Sequence, residues 1–517
     1  MSDEITRAEP AQPSTAKQDV EAIEHTATPA EATTSRLPAS SMDPAHRARV
    51  EKSLKRKLDA RCSLFVLIYI LNYLDRNNIA SARLKGLQTD LNLDDTQYAT
   101  CLSILYVGYI LMQVPSNMFI NRIQRPSIYI GVAMFLWGLI STLTGNTNNF
   151  TDMVVVRFFL GFVEAAFLPG ALLIQSKWYT RKELTTRNAI LFCGNIISNA
   201  FSALVGAGVL SNMQGVLEHA AWRWLFWIEG SITMAVAITA GFVLPDLPHN
   251  SRGFTAEELE VAQLRMIEDV GEADLDGEGQ GIFDGLIMAV KDIKIYLMML
   301  TFTAYVVGLS FNAFFPTLTG TLGFDYVPTL LMSSPPWVFS CIVSLINAWH
   351  ADRCQEKFWH ITGPIIGGII GFIISMSTLN VAARYVALFL QASAYAGFIV
   401  FYSWISSSFP RPPAKRAVAL ALVNAFSQLG NVAGSYVWNL KENGYRKSYG
   451  IVTAMFGITI LGCWAFRAIL ADLNKKIEKG ENAWDIQPDV TTRTAEIEHM
   501  DSPDEALRMQ KGFRYLL

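Results

Sequence analysis

Arg157-Phe158-Phe159-Leu160-Gly161-Phe162-Val163-Glu164 lies inside residues 151–176, a run of membrane-crossing length whose only other charge is Asp152 at its edge. About 20 apolar residues are needed to cross the hydrocarbon core as a helix. A charged side chain near the bilayer centre costs roughly 2.5–3.5 kcal/mol on insertion scales, so Arg157 and Glu164 need a reason to be there. Seven residues are two helical turns, which puts cation and carboxylate in one column on one face.

Working outward, the same length of apolar sequence recurs near 62–80, 97–119, 127–145, 187–210, 223–244, 293–316, 328–349, 359–381, 384–407, 416–439 and 448–470. With 151–176 these make twelve spans, and the fold class expected is an all-α polytopic membrane protein of two six-helix bundles. Pro115, Pro169, Pro316 and Pro335-Pro336 do not veto the helices, because neighbours in a bundle can satisfy freed backbone groups. Ten-residue segments of alternating polarity, as a membrane β-barrel requires, are not seen. Across 517 residues the chain is 51% hydrophobic and 17% charged, against about 25% charged in a soluble protein. The net charge of −3 gives no basic field for nucleic acid. Six cysteines, Cys62, Cys101, Cys193, Cys341, Cys354 and Cys463, stand singly with no metal-ligand spacing and read as packing residues. No Walker loop, metal cluster or nucleophile triad points to an enzyme or an ATP-driven pump.

Residues 1–60 read as a disordered cytosolic tail, with seven acidic and two basic side chains in 1–35. The two bundles are then 61–244 and 293–471, separated by a cytosolic loop, 245–292, and followed by a cytosolic tail, 472–517. In the loop, Thr255 and Glu258 form a capping-box pair ahead of Leu259, Leu264 and Ile267, which predicts a short interfacial helix; Gly271–Gly281 is acidic and low in complexity. Lys and Arg of short loops fall on the side of the N-terminus, among them Arg56, Lys57, Lys177, Arg353 and Lys415, which places both termini in the cytosol. The cluster Lys441, Arg446 and Lys447 disagrees, as though the eleventh span ended later. The sequon at Asn149 sits in a loop too short for ready glycosylation.

Within the membrane the sequence places four charges: Asp75 and Arg76 in Asn72-Tyr73-Leu74-Asp75-Arg76-Asn77-Asn78 of span 1, and Arg157 and Glu164 of span 4. Two cations and two carboxylates can neutralise one another and pin the spans together. They can equally form a site in which arginines hold an anion and carboxylates carry protons, and spacing does not decide between the two. The second half offers amides and hydroxyls instead, Tyr305, Asn312, Asn424, Gln428 and Asn431, which commonly join helices.

The 6+6 helix count, the span-1 and span-4 motifs and Asp352-Arg353 after the eighth span resemble the major facilitator superfamily. Tyr73 to Ile79, Arg157 to Ala165 with Pro169-Gly170, and Ala221-Trp222-Arg223-Trp224-Leu225-Phe226-Trp227-Ile228-Glu229-Gly230 resemble its anion:cation symporter family. Phe314-Phe315-Pro316-Thr317-Leu318 with Ser334-Pro335-Pro336-Trp337 resembles the fungal allantoate, nicotinate and vitamin permease branch. Two departures stand out: the loop between spans 2 and 3 reads Asn121-Arg122-Ile123-Gln124-Arg125-Pro126 where the superfamily carries an Asp-Arg-basic signature, and span 5 reads Gly194-Asn195-Ile196-Ile197-Ser198 without the Gly-Pro of drug antiporters. The resemblance implies proton coupling at Asp75 and Glu164, and anion binding at Arg76 and Arg157. It implies substrate contacts at Tyr73, Tyr106, Asn195 and Asn424, and gating at Asp352 and Arg353.

The function expected is proton-coupled uptake of a small organic anion, such as a carboxylated vitamin, ureide or monocarboxylate, by a multi-pass protein of the plasma membrane or an intracellular membrane. No cofactor is expected beyond the proton, the lipid bilayer is the surrounding partner, and the protein reads as a monomer. Export of an acidic metabolite is the alternative. A non-transporting nutrient sensor is a third reading, disfavoured by short tails.

Overall fold

The computed structural model describes residues 42–120, 123–248, 250–271, 282–409, 413–478 and 515–516. Among these every regular element is helical. We number the spans α1 (Pro44–Arg83), α2 (Asp95–Ile120), α3 (Pro126–Thr144), α4 (Phe150–Trp178), α5 (Arg181–Asn212), α6 (Ala221–Val243), α7 (Ile293–Gly320), α8 (Tyr326–Cys354), α9 (Phe358–Ser377), α10 (Val381–Ser408), α11 (Pro413–Val437) and α12 (Glu442–Glu478). By length and composition, nine of the described helices can cross a membrane; α1, α2 and α11 complete the two sets of six. Within the first half α1 packs on α5 and α6, α3 on α4 and α6, and α2 on α4. In the second half α7 packs on α11 and α12, α9 on α10 and α12, and α8 on α10. The pairings are the same six positions on, the mark of a structural repeat.

Helix α1 starts earlier than the sequence suggests. The Asp43 carboxylate caps the His46 N–H at 3.3 Å and Pro44 opens the first turn. Forty residues make a rod of about 60 Å, twice the thickness of the hydrocarbon core. Residues 44–60, read above as disordered tail, are therefore helical, and residues 1–41 lie outside the described residues. The reason is tertiary: Leu54 and Leu58 are fully buried in one cluster with Val261 and Ala262 of a loop helix, Ala256–Gly271. That helix begins with the expected capping box, Glu258 N–H donating to Thr255 Oγ1 and Thr255 N–H to Glu258 Oε2.

Glu258 also accepts from Ser53 Oγ at 3.0 Å and Lys57 Nζ at 2.8 Å on α1. Burial pushes its carboxyl up, but Lys57, the Thr255 N–H and Ser53 together hold it below the ordinary 4.5. A depressed carboxylate gives stability that is fully present above its unfolded value and lost as the pH falls through the folded one. Glu258→Gln is thus expected to weaken docking of the loop helix by about 1 kcal/mol at neutral pH, raising amide exchange over 256–266 several-fold by mass spectrometry. Wild type and variant should converge below pH 4.5. Equal exchange at neutral pH would show that the apolar contacts alone hold the helix.

Two spans break mid-membrane at matching places. In α4 the helix is interrupted at Ala165-Ala166, where Pro169 has no N–H for the Ala165 carbonyl. In α10 the interruption falls at Ala394-Tyr395 without a proline. The carbonyls it frees are taken by other helices: Tyr305 OH donates to Ala394 O at 2.5 Å, Ser340 Oγ to Ala392 O at 2.6 Å, and Asn347 Nδ2 to Ala396 O at 3.1 Å. All six cysteines are free, four of them buried.

The halves meet most firmly at the end away from the loop helix. There Lys441 Nζ pairs with Asp95 at 2.5 Å, Tyr436 OH meets Thr100 Oγ1 at 3.1 Å, and Tyr326 OH donates to Leu210 O at 3.4 Å. Arg83 lies over both Tyr98 and Phe314. The basic cluster that disagreed with the loop-charge pattern is corrected here: α11 ends at Val437, earlier than drawn, and Lys441 serves as a clasp across the halves. At the loop-helix end the ion pairs described stay within one half, Lys55 and Arg265 with Glu183, and Lys415 with Asp292. Deeper on that side Phe192 of α5 stacks on Tyr402 of α10, centroids 5.8 Å apart.

Candidate functional site

The polar run of α1 divides between two faces. Arg76 and Asn77 turn to a cleft between the halves, whereas Asp75 and Asn78, three apart, turn back toward α3, α5 and α6. The cleft is lined by Arg76, Asn77, Tyr106 and Arg157 of the first half and Ala313 of the second. A neighbouring cleft, sharing Asn77, adds Asn199 and Ser202 on one side and Asn312, Ser333 and Trp337 on the other. Asn77 Nδ2 donates to Asn199 Oδ1 at 2.7 Å and ties the two together.

Arg76 Nε donates to Glu164 Oε2 at 2.5 Å, and its guanidinium lies 5.0 Å from the Tyr73 ring centroid and 4.7 Å from that of Tyr109. Cation–π contact of this kind holds a guanidinium flat while leaving its edge free. Arg157, 2% exposed, is oriented by two backbone carbonyls, Nη2 to Arg76 O at 3.2 Å and Nε to Cys101 O at 3.4 Å. Its Nη1 is buried with no hydrogen-bond partner, and so is Glu164 Oε1. Orphaned charged groups of this sort are costly, and a ligand carboxylate would satisfy Nη1.

Of the two ion pairs that the four charges could have formed, the structure shows one, Arg76 with Glu164. Asp75 accepts from Ser141 Oγ at 2.7 Å and Thr233 Oγ1 at 3.0 Å, and no arginine among the described residues bonds to it. Adjacent residues on a helix point about 100° apart, so Asp75 and Arg76 cannot share a face. Protonating Asp75 therefore releases no arginine. Of the expected substrate contacts, Tyr106 lines the cleft and Tyr73 underlies Arg76. Asn195 is buried with Oδ1 unpartnered, and it is Asn199, one turn on, that lines the second cleft. Asn424 accepts from Tyr402 OH at 2.5 Å beside the Phe192 stack, outside both clefts. Asp352 and Arg353 sit at the exposed end of α8, Asp352 bonded to Lys357 at 2.6 Å and Arg353 over Trp349, all within one half.

A fifth intramembrane charge went uncounted. Glu229 of α6 is 2% exposed, accepts from Asn78 Nδ2, and has Oε1 unpartnered. Its position eight residues past the start of an apolar span was the available signal. The loop between α2 and α3 that departs from the superfamily signature includes 121–122, which lie outside the described residues.

A model of the Major Facilitator Superfamily matches residues 65–435. The chain belongs to that superfamily. It is a multi-pass membrane transporter, and the relatives it matches are named as transporters: the MFS-type transporter cnsO of Penicillium expansum is 32% identical over 484 residues, 90% of each chain. The major facilitator-type transporter hxnP of Emericella nidulans is 28% identical over 397 residues, 74% of this chain and 78% of that one. Among solved structures, an inward-facing, occupied bacterial homologue of the human lysosomal transporter Spinster superposes with TM-score 0.61 at 16% identity, covering 79% of this transporter and 95% of that chain. The xylose transporter XylE from E. coli, partially occluded and inward open, does so with TM-score 0.61 at 14% identity over 79% and 98%. At such identity these likenesses establish the fold of the transporter and no more.

Proposed function

We propose that this transporter takes up a small organic carboxylate together with protons, by alternating access, across the plasma membrane and with both termini in the cytosol. The observation that carries the reading is the orphaned Nη1 of Arg157, a residue that lines the cleft between the halves. Arg76 and Glu164 cancel, so the cleft keeps one uncompensated positive charge, and a monocarboxylate neutralises it. The likeness of its motifs to anion:cation symporters supports the same class of substrate. With the loop-helix end facing the cytosol, the clasp at Lys441 and Asp95 closes the outer side, which suits a state that delivers substrate inward.

An anion entering an inside-negative cell is opposed by about 2.3 kcal/mol per charge for each 100 mV, and one co-transported proton per charge cancels that. Protonating Glu164 frees Arg76, whose planar fork can then take a carboxylate in bidentate fashion beside Arg157. In vesicles with an imposed inward proton gradient, a panel of labelled nicotinate, biotin, pantothenate and allantoate should include one that accumulates above equilibrium. Glu164→Gln should abolish that accumulation while substrate counterflow persists. If no carboxylate exchanges at all, the anion reading is wrong; if accumulation ignores the proton gradient, the coupling is.

A further inference from the structure

Three carboxylates are buried in the first half, Asp75, Glu164 and Glu229, each no more than 2% exposed. Among the described residues, a cation is bonded to Glu164 alone of the three. Asp75 receives the Ser141 and Thr233 hydroxyls, and Glu229 receives the Asn78 amide. The two are neighbours by construction: on α1, Asp75 and Asn78 are one turn apart, on α6 Glu229 and Thr233 are one turn apart, and the contacts Asp75–Thr233 and Asn78–Glu229 form two rungs between antiparallel helices. About one turn, some 6 Å, separates the carboxylates along the axis.

The charged and titratable groups around the pair are accounted for. From α1 comes Arg76 and from α4 Glu164, which bond each other, and Arg157, which bonds the Cys101 and Arg76 carbonyls. From α2 comes Tyr109, beneath Arg76. Helices α3, α5 and α6 present Ser141, Ser202 and Thr233, all neutral. Two ionised carboxylates one turn apart, with no bonded cation among the described residues, repel each other and lack compensation for burial. The hydrogen-bonding leads outward: Ser202 Oγ donates to Asn78 Oδ1 at 3.3 Å, and Ser202 lines the second cleft.

We propose that Asp75 and Glu229 form a proton-binding pair behind the anion site, holding at least one proton in this conformation and exchanging it with the second cleft past Asn78 and Ser202. It rests on the proton-coupled reading and adds Glu229 to it, separating the cargo of proton from the cargo of anion by the thickness of α1. A proton on this pair, unlike one on Glu164, touches neither arginine directly, and it reaches the anion site only through α1, which carries both Asp75 and Arg76. Two buried carboxylates a helical turn apart resist ionising together, so the pair holds its last proton more tightly than either would alone.

The test needs no substrate. The full-length protein in liposomes is titrated by attenuated total reflection infrared spectroscopy, following the C=O stretch of a protonated carboxyl group above pH 6, where ordinary carboxyls of pKa about 4 are already ionised. Wild type should keep such a band and lose it on further alkalinisation. Glu229→Gln or Asp75→Asn should remove at least half of its amplitude, the double variant all of it, and Glu164→Gln little. Absence of the band in wild type, or its persistence in the double variant, overturns the proposal. Should the charge variants fail to fold, Ser141→Ala with Thr233→Ala strips Asp75 of both donors to its ionised form, and the loss of the band should move to higher pH; no movement counts against the pair. Failure of the band leaves the uptake assay standing, and failure of carboxylate uptake leaves the band standing, so the two readings fall separately.

Discussion

Arg157→Lys is expected to lower carboxylate affinity by roughly ten- to a hundredfold while the protein still inserts and unfolds at a near-normal temperature. Lysine keeps the charge but ends in a single nitrogen, whereas Arg157 uses Nε and Nη2 to hold the Cys101 and Arg76 carbonyls and keeps Nη1 unpartnered for a ligand. An ammonium that satisfies those carbonyls has turned away from the ligand, and one that faces the ligand leaves carbonyls of α1 and α2 unpaired. A hydrogen bond to a charged group contributes about 1.5–3 kcal/mol, and each 1.4 kcal/mol is a factor of about ten in binding. Uptake of a labelled carboxylate into proteoliposomes, normalised to inserted protein, measures it. Arg157→Lys with wild-type affinity would mean that the arginine only ties three helices together.

What the sequence could reveal about this site follows from which signals are one-dimensional. Membrane-length apolar runs and a seven-residue spacing are, so the spans and the shared face of Arg157 and Glu164 are legible. The capping box before the loop helix is equally local. Pairing is not: Asp75 and Arg76 are adjacent in the chain, and adjacency invites an ion-pair network that the 100° step of the helix forbids. For Glu229 a carboxylate inside an apolar span is legible, but its pairing is not, since its partner Asn78 is 151 residues away. The break in α4 is announced by Pro169, but that in α10 has no breaker of its own and depends on donors from α7 and α8. The early start of α1 likewise needs the loop helix, two hundred residues downstream, to cover Leu54 and Leu58. Lys441 contradicts the loop-charge pattern because it is used as a contact between halves.

The other large effect concerns a residue with no polar group. Helices α2 and α4 cross with their backbones nearly touching: a Cβ on Gly161 would overlap the Leu105 carbonyl, and one on Gly108 would overlap the Phe158 carbonyl. Both obstacles are backbone atoms of helices, which cannot rotate aside as a side chain does. Small residues at such crossings are how membrane helices approach closely. The approach also serves the site, because Arg157 is one turn before Gly161 and Cys101 one turn before Leu105, so the bond from Arg157 to the Cys101 carbonyl requires that α2 stay near. Gly161→Ala is therefore expected to destabilise the protein by on the order of 3 kcal/mol, the upper range for inserting an atom into a packed core, and to abolish carboxylate uptake as the Arg157 carbonyl partner recedes. Gly208→Ala on α5, where an added Cβ meets nothing within 4 Å, is the control; alanine should there be neutral or slightly stabilising, glycine being the poorer helix former. Thermal unfolding in detergent followed by tryptophan fluorescence separates the two. If Gly161→Ala unfolds with Gly208→Ala and transports like wild type, the crossing is looser than the backbone contacts require, and Arg157 is held by something other than the approach of α2.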